Sequence, residues 1–206
     1  ALSQDLGKGY TLGEGTQSTT SLGNGKHQST SAGTIQVTGN DGQNIMANAD
    51  ANNIYSEVDG KKHLHSGKIN FLDNGKSIEA EYKDGKEFKR TITDEQGNKI
   101  EATTMDNGVD KSFKWTSGQD SGSVVTGVYN ARANTANITD GKINGSDLAK
   151  TDSGITTYSM NDIRSAQSSK QRSLDDSKTN TTAEQTQDSK SQKDSSTDSL
   201  EKSKSA

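Results

Sequence analysis

The sequence predicts a mainly β protein, an antiparallel meander of short hairpin-linked strands with a flexible N-terminal segment, a short helix and a disordered C-terminal tail. Three observations predict it. Between Ile69 and Trp115 short alternating runs end on Asn74-Gly75, Asp84-Gly85, Gln96-Gly97 and Asn107-Gly108, residue pairs that accept the positive φ angles of a tight hairpin. These glycines recur roughly every ten to twelve residues, the spacing of neighbouring antiparallel strands, which leaves no room for the crossover helices of a parallel sheet. Proline and cysteine are absent while glycine occurs 21 times, a balance that favours turns and removes disulfides and thiolate chemistry.

Within this ladder the faces follow from alternation, because successive strand side chains point to opposite sides. Ile78, Ala80 and Tyr82 share one face and Glu79, Glu81 and Lys83 the other, and Ile100, Ala102 and Thr104 repeat the pattern. Phe88 and Ile92 fall on one face with Arg90 between them, and Phe113 and Trp115 close the series.

Leu, Ile, Val and Phe together supply 29 of 206 residues, below the roughly 20% under which a chain struggles to order itself throughout. A net charge of −4 is too small to explain this by repulsion, so core material is what is short. The expected organisation is a Gly/Ser-rich flexible segment over 1–32, a β-rich domain over 33–158, a short helix over 159–175 and a disordered polar tail over 176–206.

In chain order, the opening segment is Gly, Ser, Thr, Gln and Asn with isolated leucines, and Leu12-Gly13-Glu14-Gly15 is faintly repeated by Leu22-Gly23-Asn24-Gly25. It is no phosphate cradle, since Gly7 and Gly9 are not completed to Gly-x-Gly-x-x-Gly and Gly25-Lys26 lacks the spacing and hydroxyl residue of a P-loop. Thr34 to Thr38 and Ile54 to Val58 read as strands closed by turns. His63-Leu64-His65 puts two imidazoles on one strand face, which zinc or copper could use, but no further ligands are specified; two polar residues around an inward Leu64 is the simpler account. Asp50 to Lys61 opens like a calcium loop and then lacks the Gly and Glu that an EF-hand needs, and Asp140 to Asp147 reads as paired turns. Ser123 to Tyr129 is a closing strand. Ser159-Met160-Asn161-Asp162 has the form of a helix N-cap, followed by a weak stripe to Leu174. The chain opens on Ala1 without a signal-like segment, and the expectation is a processed product or part of a larger protein.

No catalytic, cofactor or metal residues are predicted. Glu79 and Glu81 share a strand face, as a glycosidase acid and base would, but Lys76 and Lys83 beside them favour a solvated face. Lysines alternate with acidic residues instead of forming a stripe, which argues against nucleic acid, and no apolar run reaches the length of a membrane helix.

The Gly/Ser/Asn-rich opening, the run Thr38-Gly39-Asn40-Asp41-Gly42, and Met160-Asn161-Asp162-Ile163-Arg164-Ser165-Ala166-Gln167-Ser168-Ser169 leading into a polar tail resemble the C-terminal periplasmic region of TraG-like bacterial conjugal transfer proteins. That resemblance implies a non-catalytic module outside the cytoplasm, in the periplasm or at the cell surface. Its role would be in mating-pair stabilisation or entry exclusion, with a protein partner in the envelope or mating apparatus. Tyr82-Lys83-Asp84-Gly85-Lys86 after Asp73-Asn74-Gly75-Lys76 is similar to the hairpins of MORN-like and YD-repeat proteins, which implies a single-layer sheet. The alternative is a segment of a trimeric adhesin or phage tail fibre, its apolar face buried by trimerisation and a surface glycan its target; a glycan-processing enzyme is the third class.

Overall fold

Turn chemistry sets the ladder. In the computed structural model, which describes residues 2–148, Asn74, Asp84 and the glycines at 75, 85, 97 and 108 have φ between 52° and 82°, as the predicted hairpins require. The helix expected over 159–175, the tail over 176–206 and the last residues of the segment drawn at 33–158 lie outside the described residues.

The elements run α1 (Leu2–Gly7), β1 (Tyr10–Leu12), β2 (Thr19–Gly23), β3 (Lys26–Ser29), β4 (Gly33–Gly39), β5 (Asn44–Ala49), β6 (Ile54–Val58) and β7 (Lys61–Asp73). They continue with β8 (Lys76–Lys83), β9 (Lys86–Thr93), β10 (Lys99–Thr104), β11 (Lys111–Thr116), β12 (Val124–Asn130), β13 (Thr135–Ile143) and β14 (Ser146–Asp147). The protein is thus mainly β. One antiparallel sheet runs β1-β4-β5-β7-β8-β9-β10-β11-β12-β13-β14, and β2, β3 and β6 attach to it through the first half of β7.

β7 serves both parts. Lys61 to Ser66 pairs with β6, and Gly67 to Asp73 pairs with β8. The changeover falls at Gly67, whose φ of 142° suits glycine, and a Cβ there would run into the Asn53 side chain. Asn53 is 1% exposed; its amide nitrogen donates to the Lys68 carbonyl at 3.0 Å and its oxygen accepts from the Lys68 N–H at 2.9 Å, so a side chain does there what a neighbouring strand does elsewhere.

Face alternation holds for Ile78, Ala80, Tyr82, Ile100, Ala102, Phe113 and Trp115, all buried on the inward side. Phe88 departs from it. The β8–β9 register shifts between Glu81 and Tyr82, so Tyr82 pairs with Glu87 and Phe88 becomes the extra residue of a bulge, half-buried. Glu87, not Phe88, thereby joins Arg90 on the inward side.

The inward face is covered because the sheet curls. Tyr10 on β1 packs edge-on against Phe71 on β7 with ring centroids 4.9 Å apart, although β4 and β5 lie between these strands in the ladder. Helix α1 fills the curl with Leu2 and Leu6, and Gly7 backs onto Tyr129 and Asn134.

Composition pointed to a flexible segment over 1–32; the structure instead places α1, β1, β2 and β3 there. Polar anchoring accounts for the difference. Gln17 is buried, its amide nitrogen donates to the carbonyls of Ser31 at 2.6 Å and Asp50 at 3.0 Å, and its oxygen accepts from the Tyr55 hydroxyl. Such bonds order a chain without the apolar side chains that the composition counts.

Candidate functional site

A polar cluster lies where α1 and β1 meet the inward face of β7, β8 and β9. Arg90, 2% exposed, is held from several sides: Glu87 accepts its Nε at 2.8 Å and its Nη2 at 2.7 Å, and the Asp5 carbonyl accepts Nη1 at 2.7 Å. On a flat strand residues three apart point to opposite faces; the bulge at Phe88 is what allows this fork-to-fork pairing. The guanidinium also lies 5.1 Å from the Tyr10 ring centroid. Burial works against its charge, yet the Glu87 bonds and charge outweigh that and keep Arg90 more firmly protonated than usual.

Beside it, Asp73 Oδ2 accepts from Lys8 Nζ and from the Tyr10 hydroxyl, both at 2.7 Å, and Lys76 Nζ donates to both Asp5 carboxylate oxygens at 2.8 Å. Burial pushes the Asp73 carboxyl up, but the bonds from Lys8 and Tyr10 and the charges of Lys8 and Lys76 leave it below the ordinary carboxylate value. Burial, and then the bond to Asp73, push the Tyr10 hydroxyl up, so it remains a donor. Asp73 Oδ1 is different: it is buried and no group among the described residues bonds to it. A cavity of about 160 Å³ opens here, lined by Gln4, Asp5, Lys8, Tyr10, Asp73 and Asn74 at its polar side and by Lys76, Ile78 and Ile92.

The residues weighed from sequence lie elsewhere and apart. His63 is exposed on β7 with Leu64 buried beside it. His65 Nε2 lies 3.6 Å from Asp84, and His27 Nε2 lies 2.8 Å from Glu57, so two histidines face separate carboxylates. Among the described residues no three His, Cys, Asp or Glu side chains gather as a metal set. Glu79 stands on the outward face opposite Asn70 and Thr91, and Glu81 opposite Lys68 and Lys89. Of the paired turns expected between Asp140 and Asp147 one forms, at Asn144-Gly145 between β13 and β14, whereas Asp140 to Ile143 belongs to β13.

Sequence reasoning missed Asp5, Lys8 and Tyr10 because they belong to the segment expected to be flexible, and it read Asp73 as a turn residue. One signal was present: Arg90 falls on an otherwise apolar face, and a buried arginine demands a partner.

Comparison with protein-family models, with curated proteins and with solved structures gives no match.

Proposed function

We propose that this chain is a non-catalytic module that works by contact with a protein partner outside the cytoplasm. One observation carries the reading: the outward face at β5 and β7 exposes Met46 at 65% and Leu72 at 69%. Each stands two residues from the pair Asn48 and Asn70, which are opposite in register and joined side chain to side chain at 3.3 Å, so both apolar groups lie at the same end of the outward face of these two strands. Large apolar side chains on a rigid, otherwise polar sheet surface suit an anchor for a protein partner. Conjugative transfer, as mating-pair stabilisation or entry exclusion, is the proposed setting, and it rests on the sequence resemblance alone. The inward apolar face is buried within one chain, Trp115 to 3% exposure, so a second copy is not needed to cover it, which favours this reading over a trimeric fibre.

The test places a photo-crosslinking amino acid at position 72 in cells that transfer DNA, and measures transfer frequency in parallel. Met46→Lys should abolish a discrete protein adduct and lower transfer by about tenfold or more, the scale of losing one buried apolar anchor. Unchanged transfer together with no adduct would overturn the proposal.

A further inference from the structure

We propose that the β7–β8 turn is a site of covalent self-modification, where Asn74 loses its side-chain amide and becomes aspartate or isoaspartate through a cyclic imide formed with Gly75. This inference does not rest on the outward-face reading above.

Asparagine is a chemically labile residue, and a following glycine leaves no Cβ to hinder the reaction. The Gly75 main-chain nitrogen bonds to Asn74 Cγ, and the side-chain amide leaves as ammonia, carrying off the proton that the nitrogen gives up. Water then opens the imide. Opening at one carbonyl leaves aspartate, and opening at the other leaves isoaspartate, in which the main chain runs through the former side chain. Before the nitrogen can attack, the peptide between the two residues has to rotate out of its turn conformation. Whatever bonds that peptide or the asparagine side chain therefore slows the reaction.

The sequence holds four Asn-Gly pairs, at Asn24, Asn74, Asn107 and Asn144, and the structure sorts them. At Asn107 both partners are tied: the Gly108 N–H donates to the Met105 carbonyl at 2.9 Å, and the Asn107 amide bonds the main-chain N–H groups of Val109 and Asp110 and the Asp110 carboxylate. At Asn144 the Gly145 N–H donates to the Gly122 carbonyl at 2.8 Å and the Asn144 N–H to Ser123 Oγ at 2.8 Å. At Asn24 the Gly25 carbonyl accepts from the Glu57 N–H at 2.8 Å, which ties the turn to β6. Asn74-Gly75 lacks such ties. Asn74 is exposed, and among the described residues nothing accepts the Gly75 N–H and nothing bonds the Asn74 side chain.

The position gives the change a structural effect. Asp73 and Lys76, the register pair that closes the β7–β8 ladder, flank this turn. The same two side chains reach Lys8, Tyr10 and Asp5, the contacts that hold α1 and β1 to the sheet. Aspartate at 74 adds a negative charge beside Asp73, and isoaspartate also lengthens the main chain of a two-residue turn.

The test incubates the full chain at neutral and at mildly alkaline pH, folded and in concentrated urea. Tryptic peptides carrying each of the four pairs are followed by mass spectrometry, and isoaspartate is counted with an isoaspartyl methyltransferase and a labelled methyl donor. In the folded chain Asn74 should lead the four and outpace Asn107 and Asn144 by about tenfold or more, the scale of a main-chain hydrogen bond that has to open first. Its products should include isoaspartate, and its rate should rise with pH because the attacking nitrogen must lose its proton. In urea the four rates should converge. Another pair leading in the folded chain, aspartate as the sole product, or the same ranking with the same spread in urea would each overturn the inference. The outward-face proposal would stand in all of these cases, because it rests on Met46 and Leu72.

Discussion

At the scale of single residues, Arg90 is the clearest case of chemistry deciding structure. An unpaired charge at 2% exposure would be very costly, and among the described residues Glu87 supplies the opposing charge in direct contact. Arg90→Met should therefore destabilise by about 3–5 kcal/mol, much of it from the Glu87 carboxylate left without its partner. Arg90→Met combined with Glu87→Gln should recover a large share of that loss. Urea melts of the single and double variants form a cycle whose coupling measures the pair, and additive losses would mean that the two side chains do not act together. The pair was half legible from sequence. Alternation puts Arg90 on the apolar face, but the same rule carried to Glu87 would set it on the opposite side, because alternation cannot foresee the inserted residue at Phe88.

At the scale of elements, the ladder from β7 to β11 was legible because each hairpin is specified by its own few residues: an alternating run, then a turn pair that tolerates positive φ. Attachment of β2, β3 and β6 to the first half of β7 was not, since the residues joined at Tyr55 and Leu64 carry no mark of their distant neighbours. Helix α1 escaped for another reason: six residues are too few for a periodic pattern, and its stability comes from the sheet it packs on. Within the ladder, neighbouring strands are fitted to each other. β12 reaches β11 closely at Gly127, where a Cβ would strike the Phe113 ring and the Asn137 carbonyl. Gly127→Ala should thus cost about 1–3 kcal/mol through overpacking. Trp115→Ala, which empties the same inward layer, should cost about 3–5 kcal/mol, while Lys114→Ala on the outward face should cost less than about 0.5 kcal/mol. Thermal or urea unfolding of the three variants checks the ranking, and equal small losses for Trp115 and Lys114 would show that the faces have been assigned the wrong way round.

At the scale of the whole molecule, the question a single-layer sheet poses is what covers its apolar side. A flat meander of this length would leave Ile78, Ile100, Phe113 and Trp115 to water or to another copy of the chain. Here the curl that brings Tyr10 over Phe71, together with Leu2 and Leu6 of α1, buries that side within one copy. The polar cluster of Asp5, Arg90, Asp73 and Lys76 fixes α1 in this position, tying its backbone and its first carboxylate to β8 and β9. Light scattering after size-exclusion chromatography of the full chain should accordingly return the mass of one copy, 21.9 kDa. Leu6→Asp, which sets a charge at a site with no exposure, should detach the helix, uncover the apolar face and raise the mass by association. A trimer from the unaltered chain would reverse the argument: the apolar cover supplied by α1 would not be sufficient, and a fibre-like assembly would become the better account of how this sheet is used.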